Sequence, residues 1–329
     1  MKALLQQVRR TIQRHALCPP GTTLLIGLSG GSDSVALVFL LRELAENGGF
    51  SIAGVAHFNH QLRPSAGRDE TFCRELADRL HLRIAVESAD VKGYARGRNL
   101  SVEDAARRIR YDFLERSADA LGADRIAVGH TQDDQAETFL LKLMRGAGLT
   151  GLAGIYPRRG RVIRPLLDTS RAELRSHLSE RGERWIEDET NADLDNPRNR
   201  IRHVVLPELD GTAGGPTRPA IARAAGLMRD DGQWLDELAE ERYGALAAVG
   251  PDGVTLDASA TAAEPLAIRR RVLLRALRAG SGDREIALDH VEAAMAVLAG
   301  TCSGADFPGG RVELRRGKLV LVQQKPASK

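Results

Sequence analysis

Three hydroxyls, two glycines and one carboxylate meet in Ser29-Gly30-Gly31-Ser32-Asp33-Ser34, between an apolar run of strand length and an apolar helical run. Glycine tolerates positive φ and lets the main chain approach a ligand closely. The N–H groups that open the following helix, reinforced by its dipole, favour phosphate oxygens. A carboxylate suits such a place when a divalent cation lies between it and phosphate, so Asp33 is a candidate Mg2+ ligand. The alternative is a plain strand-to-helix turn with Asp33 or Ser34 as N-cap. The full hexapeptide in this position favours phosphate binding. No Gly-Lys-Ser/Thr follows, which separates the loop from the Walker pattern.

His130-Thr131-Gln132-Asp133-Asp134-Gln135-Ala136-Glu137 opens another helix, with Asp133 and Glu137 four apart on one face and Asp134 beside them. Acidic residues at a helix start stabilise its dipole by roughly a few tenths of a kcal/mol. Three carboxylates and an imidazole exceed that need. They suit Mg2+, with Asp133 as a second candidate ligand, or the ammonium of a substrate. His57-Phe58-Asn59-His60-Gln61-Leu62-Arg63 follows a strand, where open α/β sheets receive ligands. Its two histidines find no third ligand at metal spacing, which argues against a metal there. Arg107 and Arg110 share a helix face and read as a solvated basic face or as phosphate contacts. Arg198 and Arg202 read as phosphate clamps or as surface partners of Glu187, Asp188 and Glu189.

The elements that position these groups alternate. Apolar strands are expected at Leu24–Leu28, Ser51–His57, Arg83–Glu87, Arg125–Gly129 and around Val162–Arg164. Helices are expected over Met1–Leu17, Val35–Ala45, Asp69–Leu80, Ser101–Ala120 (Ser101 and Asp104 as a capping pair), from the His130 motif onward, and Ser170–Arg181. Strand–helix alternation to about residue 209 predicts a doubly wound parallel sheet. The Gly-, Thr- and Pro-rich residues 210–219 read as a linker. Residues 220–329 read as a mainly helical domain, with helices at Ala220–Met228, Gln233–Leu246, Leu266–Leu277 and Asp289–Leu298. It closes in a hairpin of Arg311–Leu314 and Leu319–Val322.

The 329 residues, 43% hydrophobic and 28% charged, suit two globular domains, and the net charge of +3 neither demands nor excludes nucleic acid. Three dispersed cysteines, Cys18, Cys73 and Cys302, form no disulfide framework or zinc spacing, which fits a reducing cytoplasm. No apolar run reaches membrane-spanning length. The acid-free first helix reads as packed structure rather than a targeting segment.

Ser29 to Ser34 resembles the pyrophosphate loop of ATP pyrophosphatases. Taken in order with His57-x-Asn59-His60-x-Leu62-Arg63, Ala106-Arg107-x-x-Arg110-Tyr111, Gly129-His130-x-x-Asp133-Asp134-x-x-Glu137-Thr138, Arg145-Gly146-x-Gly148-x-x-Gly151-Leu152, Asp188-x-Thr190-Asn191 and Arg198-Asn199-x-Ile201-Arg202, the chain resembles the short form of the tRNA(Ile)-lysidine synthetase family. The resemblance covers most of residues 23–208; the carboxyl-terminal half matches less distinctly. It implies an adenine nucleotide alpha hydrolase-like fold, ATP and Mg2+ as cofactors, and a cytoplasmic ligase, with a homodimer as one state. Its substrates would be L-lysine and the wobble cytidine of the CAU anticodon of tRNA(Ile), adenylated on the C2 oxygen before lysine displaces AMP. Within that scheme Asp33, His130, Asp133, Glu137 and Arg202 are catalytic candidates, with His130 and Glu137 as possible bases. Ser29, Gly30, Gly31, Ser32, Asp33, Ser34 and His57 would hold ATP. Asn59, His60, Arg63, Arg107, Arg110, Asp134 and Arg198 would hold lysine or RNA. An RNA thiolase would need paired cysteines, an amidotransferase an amino-terminal cysteine, and a non-catalytic nucleotide sensor would not need the acidic constellation.

Overall fold

The computed structural model describes residues 2–46, 49–59, 66–98, 100–187, 193–250, 253–282 and 284–323. The chain divides into two compact units, Met1–Arg229 and Asp230–Lys329.

The first unit contains α1 (Lys2–Arg14), β1 (Thr23–Gly27), α2 (Ser32–Ala45), β2 (Ser51–Asn59), α3 (Ala66–Arg79), β3 (Ile84–Ser88), α4 (Val91–Arg98) and α5 (Val102–Leu121). Then follow β4 (Arg125–Ala127), α6 (Gln132–Leu143), α7 (Leu149–Leu152), β5 (Arg158–Arg159), β6 (Val162–Ile163) and α8 (Arg171–Glu180). The unit continues through α9 (Pro197–Arg200), a π segment (Ile201–Val205) and α10 (Leu206–Ala213). Strands lie in the order β3-β2-β1-β4-β6-β5, all parallel except β5. The β1 side chains alternate. Leu24 and Ile26 enter one apolar layer with Leu37, Leu40 and Leu174, while Leu25 enters the other with Ile109, Phe113 and Ile126. Both faces of the sheet are therefore covered, as a parallel sheet requires.

After β1 the chain builds outward to β2 and β3, then returns to place β4 on the other side of β1. This reversal is a topological switch point, and the crevice beyond the carboxyl ends of such strands is the ligand side of an open α/β sheet. The serine–glycine loop leaves β1 and the His130 motif leaves β4, so both constellations open onto this crevice. They also pack closely: a Cβ on Gly129 would stand 3.1 Å from the carbonyl carbon of Asp33. Gly129 is thus what lets the two strand ends lie side by side.

The second unit is richer in β-structure than its sequence pattern suggests. The helix α11 (Arg218–Leu246) runs across the division between the units, replacing the two helices expected at 220–228 and 233–246. The expected break at Arg229-Asp230-Asp231-Gly232 does not occur: the helix continues through it, with Asp230 and Asp231 exposed and Gly232 buried. The hairpin of β10 (Gly310–Arg315) and β11 (Lys318–Gln323) is present, with Leu314 opposite Leu319. It belongs to a five-stranded antiparallel sheet, β7-β8-β11-β10-β9, completed by β7 (Ala247–Gly250), β8 (Gly253–Asp257) and β9 (Gly304–Phe307). Those strands are short and bounded by glycines, so they carry almost no periodic signal. The sheet packs with α12 (Ala258–Ala263), α13 (Leu266–Ser281) and α14 (Leu288–Leu298) around Leu256, Val272, Leu277, Val297 and Leu319. Within 210–219, α10 continues to Ala213 and Gly214 caps it at φ 67°. Asp210 accepts the N–H and hydroxyl of Thr217, each at 2.6 Å. Among the described residues no helix is long and apolar enough to cross a membrane.

Candidate active site

The loop after β1 has the strand–turn–helix form its sequence suggests. Gly30 takes φ +89°, whereas Gly31 sits at φ −73° as the N-cap of α2, so only the first glycine needs its conformational freedom. No side chain caps α2, which removes Asp33 and Ser34 as N-caps. The serines brace the turn instead. The Ser34 hydroxyl donates to the Gly31 carbonyl at 3.0 Å and accepts the Ser29 N–H at 3.1 Å. The Gly30 carbonyl accepts the Ile186 N–H at 2.9 Å, and the Ile186 side chain lies against Gly30. First-turn N–H groups have no intrahelical acceptor, so the turn presents donors to an anion.

Thr131 caps α6 reciprocally with Asp134, whose Oδ2 accepts the Thr131 N–H at 2.8 Å and its hydroxyl at 2.9 Å. That cap fixes Asp134 at the crevice. Four arginines then close on four carboxylates. Arg171, the first residue of α8, donates Nε to Asp33 at 2.9 Å and Nη2 to Asp134 at 3.2 Å, and its Nη1 lies 3.7 Å from Glu137. Its backbone N–H donates to Asp133 Oδ2 at 2.8 Å. Arg202 grips Glu137 with two nitrogens, at 2.6 and 3.0 Å. Arg198 Nε lies 3.1 Å from Glu137, and its Nη2 donates to Thr138 at 2.8 Å. Arg218 stands between Asp133 at 3.2 Å and Asp210 at 2.7 Å. Glu137 is fully buried, which such a charge tolerates only because cations surround it.

Electrostatics differ from group to group. Burial raises the Asp33 carboxyl above the usual carboxylate range, and repulsion from Asp134 adds to this against the pull of Arg171. Burial alone would also raise Asp134, but Arg171, His130 and the Thr131 N–H together hold it low. His130 is pushed down to about 3, first by burial and then by Arg164, Arg110 and Arg198, against the attraction of Asp134. Its Nδ1 lies 3.3 Å from Arg164 Nε and can only accept there, so the neutral ring carries its proton on Nε2. A histidine in that state donates from Nε2 rather than taking a proton. Its folded pKa lies below the unfolded value near 6.5, so its contribution to stability is lost as pH falls from about 6.5 toward 3. Nitrogen-15 NMR of the imidazole is expected to show the Nε2–H tautomer with no titration between about pH 5 and 8; a midpoint near 6.5 would contradict this arrangement.

Arg107 and Arg110 stand apart from the acidic cluster. Their guanidinium carbons lie 4.9 and 5.6 Å from the Tyr111 ring centre. With buried Arg164, which also donates to the Tyr156 carbonyl at 2.7 Å, they form a cationic group that meets no carboxylate among the described residues. Burial alone would raise the Tyr111 phenol, yet Arg110, Arg164 and Arg107 outweigh it and lower it. Asn59, at the end of β2, donates to Glu70 of α3 at 3.1 Å. His57 Nδ1 meets the Leu28 carbonyl at 2.9 Å, which leaves its buried Nε2 as an acceptor without a partner among the described residues. His60, Arg63 and the Asp188-x-Thr190-Asn191 stretch lie outside the described residues. Arg164, Arg171 and Arg218 were not among the sequence candidates, although they complete both charge clusters.

As for a metal, no group of three His, Cys, Asp or Glu among the described residues is arranged as a cage. Mg2+ in nucleotide sites is commonly held by one or two carboxylates plus substrate phosphates, and Asp33 at the opening of α2 fits that mode. Asp133 fits it less well, since Arg218 and the Arg171 N–H already engage both its oxygens.

A parallel sheet with a phosphate loop at its switch point, faced by an acidic helix start, defines a nucleotide-using enzyme of the PP-loop class, and the PP-loop domain family model matches residues 4–209. A solved relative in fold is the U34-tRNA thiolase NcsA from Methanococcus maripaludis with its [4Fe-4S] cluster. It has a TM-score of 0.54 and 20% identity, over 69% of this chain and 78% of that one. Among sequence relatives, a tRNA(Ile)-lysidine synthase of Geobacter sulfurreducens is 37% identical over 97% of this chain and 67% of its own length. One of Symbiobacterium thermophilum is 37% identical over 98% of this chain and 70% of its own. The chain belongs to the tRNA(Ile)-lysidine synthase family.

Proposed function

We propose that this protein joins lysine to C2 of the wobble cytidine in the CAU anticodon of tRNA(Ile), with ATP split to AMP and pyrophosphate. The observation that carries the reading is the proximity of Asp33, in the phosphate loop, to Asp134 and Glu137, at the acidic helix start, bridged by one arginine. A nucleotide held by the loop and an amine held by the carboxylates would then meet in one crevice. The loop amides and Ser29 to Ser34 would grip the phosphates, with His57 beside them. Mg2+ bound at Asp33 would neutralise charge developing on the departing pyrophosphate. Asp134 would orient the lysine ammonium, with Asp133 positioning the start of α8. Arg198 and Arg202, held by Glu137, would steady the AMP moiety, and Arg107, Arg110 and Arg164 would take an anionic group of the RNA or of the nucleotide. His130, neutral and donating from Nε2, suits a hydrogen bond to the substrate. Glu137, fully paired, would serve as the anchor of the arginines, and the ionised Asp134 would accept a hydrogen bond from the amine and orient it, the amine's proton passing to solvent. Rate enhancement would come mainly from positioning and electrostatics.

A thiolase reading is weakened by the cysteines. Burial pushes both Cys18 and Cys73 up to about 12, far from a reactive thiolate, and neither is paired. The cytoplasm, with its pools of tRNA and lysine, is the expected compartment, and a homodimer is a state to be measured by light scattering. The deciding experiment supplies unmodified tRNA(Ile) bearing CAU with ATP, Mg2+ and labelled lysine. Label is expected in the RNA only when ATP is present, and its absence with folded protein would overturn the reading.

A further inference from the structure

Each of the four crevice carboxylates, Asp33, Asp133, Asp134 and Glu137, is already engaged by a guanidinium group, so a cationic substrate finds its partners occupied until one guanidinium leaves. Three of the four arginines are secured outside or doubly within the cluster. Arg198 also holds Thr138, Arg218 also holds Asp210, and Arg202 is bidentate on buried Glu137. Arg171 differs. Its side-chain partners are Asp33, Asp134 and Glu137, one to each nitrogen, all of them carboxylates of the cluster. Its backbone is fixed by the Asp133 contact and by the Ser170–Glu173 capping box of α8, while the side chain above is long and rotatable. It is also the one that reaches the phosphate loop, through Asp33.

Resting on the function proposed above, we propose that Arg171 makes lysine binding conditional on ATP: without nucleotide its guanidinium occupies the cation position that the lysine ammonium needs. A triphosphate in the loop brings several negative charges next to Asp33. Those oxygens offer a planar fork such as Arg171 a better partner than one shared carboxylate. The guanidinium turns toward the nucleotide, and Asp134 becomes available to the amine. The order of loading follows from this exchange of partners: nucleotide first, amine second. Arg171 acts through the cluster, so it is a positioning residue rather than a catalytic one.

The test measures L-lysine affinity by calorimetry, with and without a non-hydrolysable ATP analogue and Mg2+, for the wild-type chain and for Arg171→Gln. The wild type is expected to bind lysine at least about tenfold more tightly with the analogue, and by linkage lysine should tighten the analogue equally. Arg171→Gln is expected to bind lysine without nucleotide at least about tenfold more tightly than the wild type, with the dependence on the analogue reduced to about threefold or less. A residue needed only for structure would weaken lysine binding, the opposite sign. Unchanged nucleotide dependence in Arg171→Gln overturns the proposal. So does wild-type lysine affinity that ignores the analogue, a readout independent of how the variant folds. If the wild type incorporates lysine into tRNA yet shows no such linkage, this proposal alone fails. If it neither incorporates nor binds lysine, the functional reading fails and takes this proposal with it.

Discussion

Glu137→Gln is expected to destabilise the first unit by about 3 kcal/mol, an amount typical of breaking a buried ion pair. The carboxylate is fully buried, and Arg202, Arg198 and Arg171 converge on it at 2.6, 3.1 and 3.7 Å. An amide of the same shape offers one acceptor oxygen and turns an N–H2 toward guanidinium groups that can only donate. The three arginines keep 17–36% of their side chains exposed, so solvent softens the loss and holds the figure at the lower end of its range. Lysine incorporation is expected to fall by about 100-fold, since Arg198 and Arg202 lose the anion that orients them. Trp185 lies in the first unit and Trp234 in the second, where its side chain is exposed, so urea unfolding read by fluorescence in a Trp234→Phe background isolates the relevant transition. Glu137→Asp, which keeps the charge, should recover part of both losses. A Glu137→Gln protein with wild-type stability and activity would show that the arginines are positioned by something else.

Legibility in the sequence followed local signals. The hexapeptide after β1 and the acids after β4 could be read because strand, turn and helix start each leave a mark within a few residues, and a parallel sheet sends both to one edge. The partners of those groups could not be read that way. Arg171, Arg164 and Arg218 lie far along the chain from Asp33, His130 and Asp133, and pairing across such distances has no periodicity. Arg171 did leave one trace. A cation at the first position of a helix opposes the helix dipole, and the Ser170–Glu173 capping box marks that position plainly. A residue so placed must find carboxylates elsewhere. Glu137 shows the converse: its place on α6 marked it for Mg2+, an amine or a base, but not its full burial or the three arginines that converge on it. The strands β7, β8 and β9 were missed because a four- or five-residue strand beside glycines is indistinguishable from a loop until its partners are known.

Asp33→Ala is expected to separate stability from function. Pyrophosphate release should fall by about three orders of magnitude, the scale of losing one electrostatic contact to developing charge in a closed site. The folded protein should be no less stable. A carboxyl whose folded pKa is raised binds its proton more tightly folded than unfolded. Its ionisation therefore works against folding as pH rises from the unfolded value through the folded one, and the charged form of Asp33 is a net burden. The cause is burial next to Asp134, which the pull of Arg171 does not fully offset. Removing Asp33 relieves that repulsion and leaves Arg171 with Asp134 and Glu137. Thermal melting at neutral pH should thus give a midpoint equal to or above that of the wild type, and the gap should shrink as pH is lowered and the wild-type carboxyl becomes protonated. Filter binding of the tRNA should be unaffected, since no RNA contact is assigned to Asp33. Parallel loss of melting temperature, RNA retention and pyrophosphate release would mean that Asp33 serves the fold. Loss of the chemistry alone, in a protein as stable as before, is what a residue kept for ATP and its metal must show, because burial and the neighbouring Asp134 outweigh what Arg171 returns to a charge at that position.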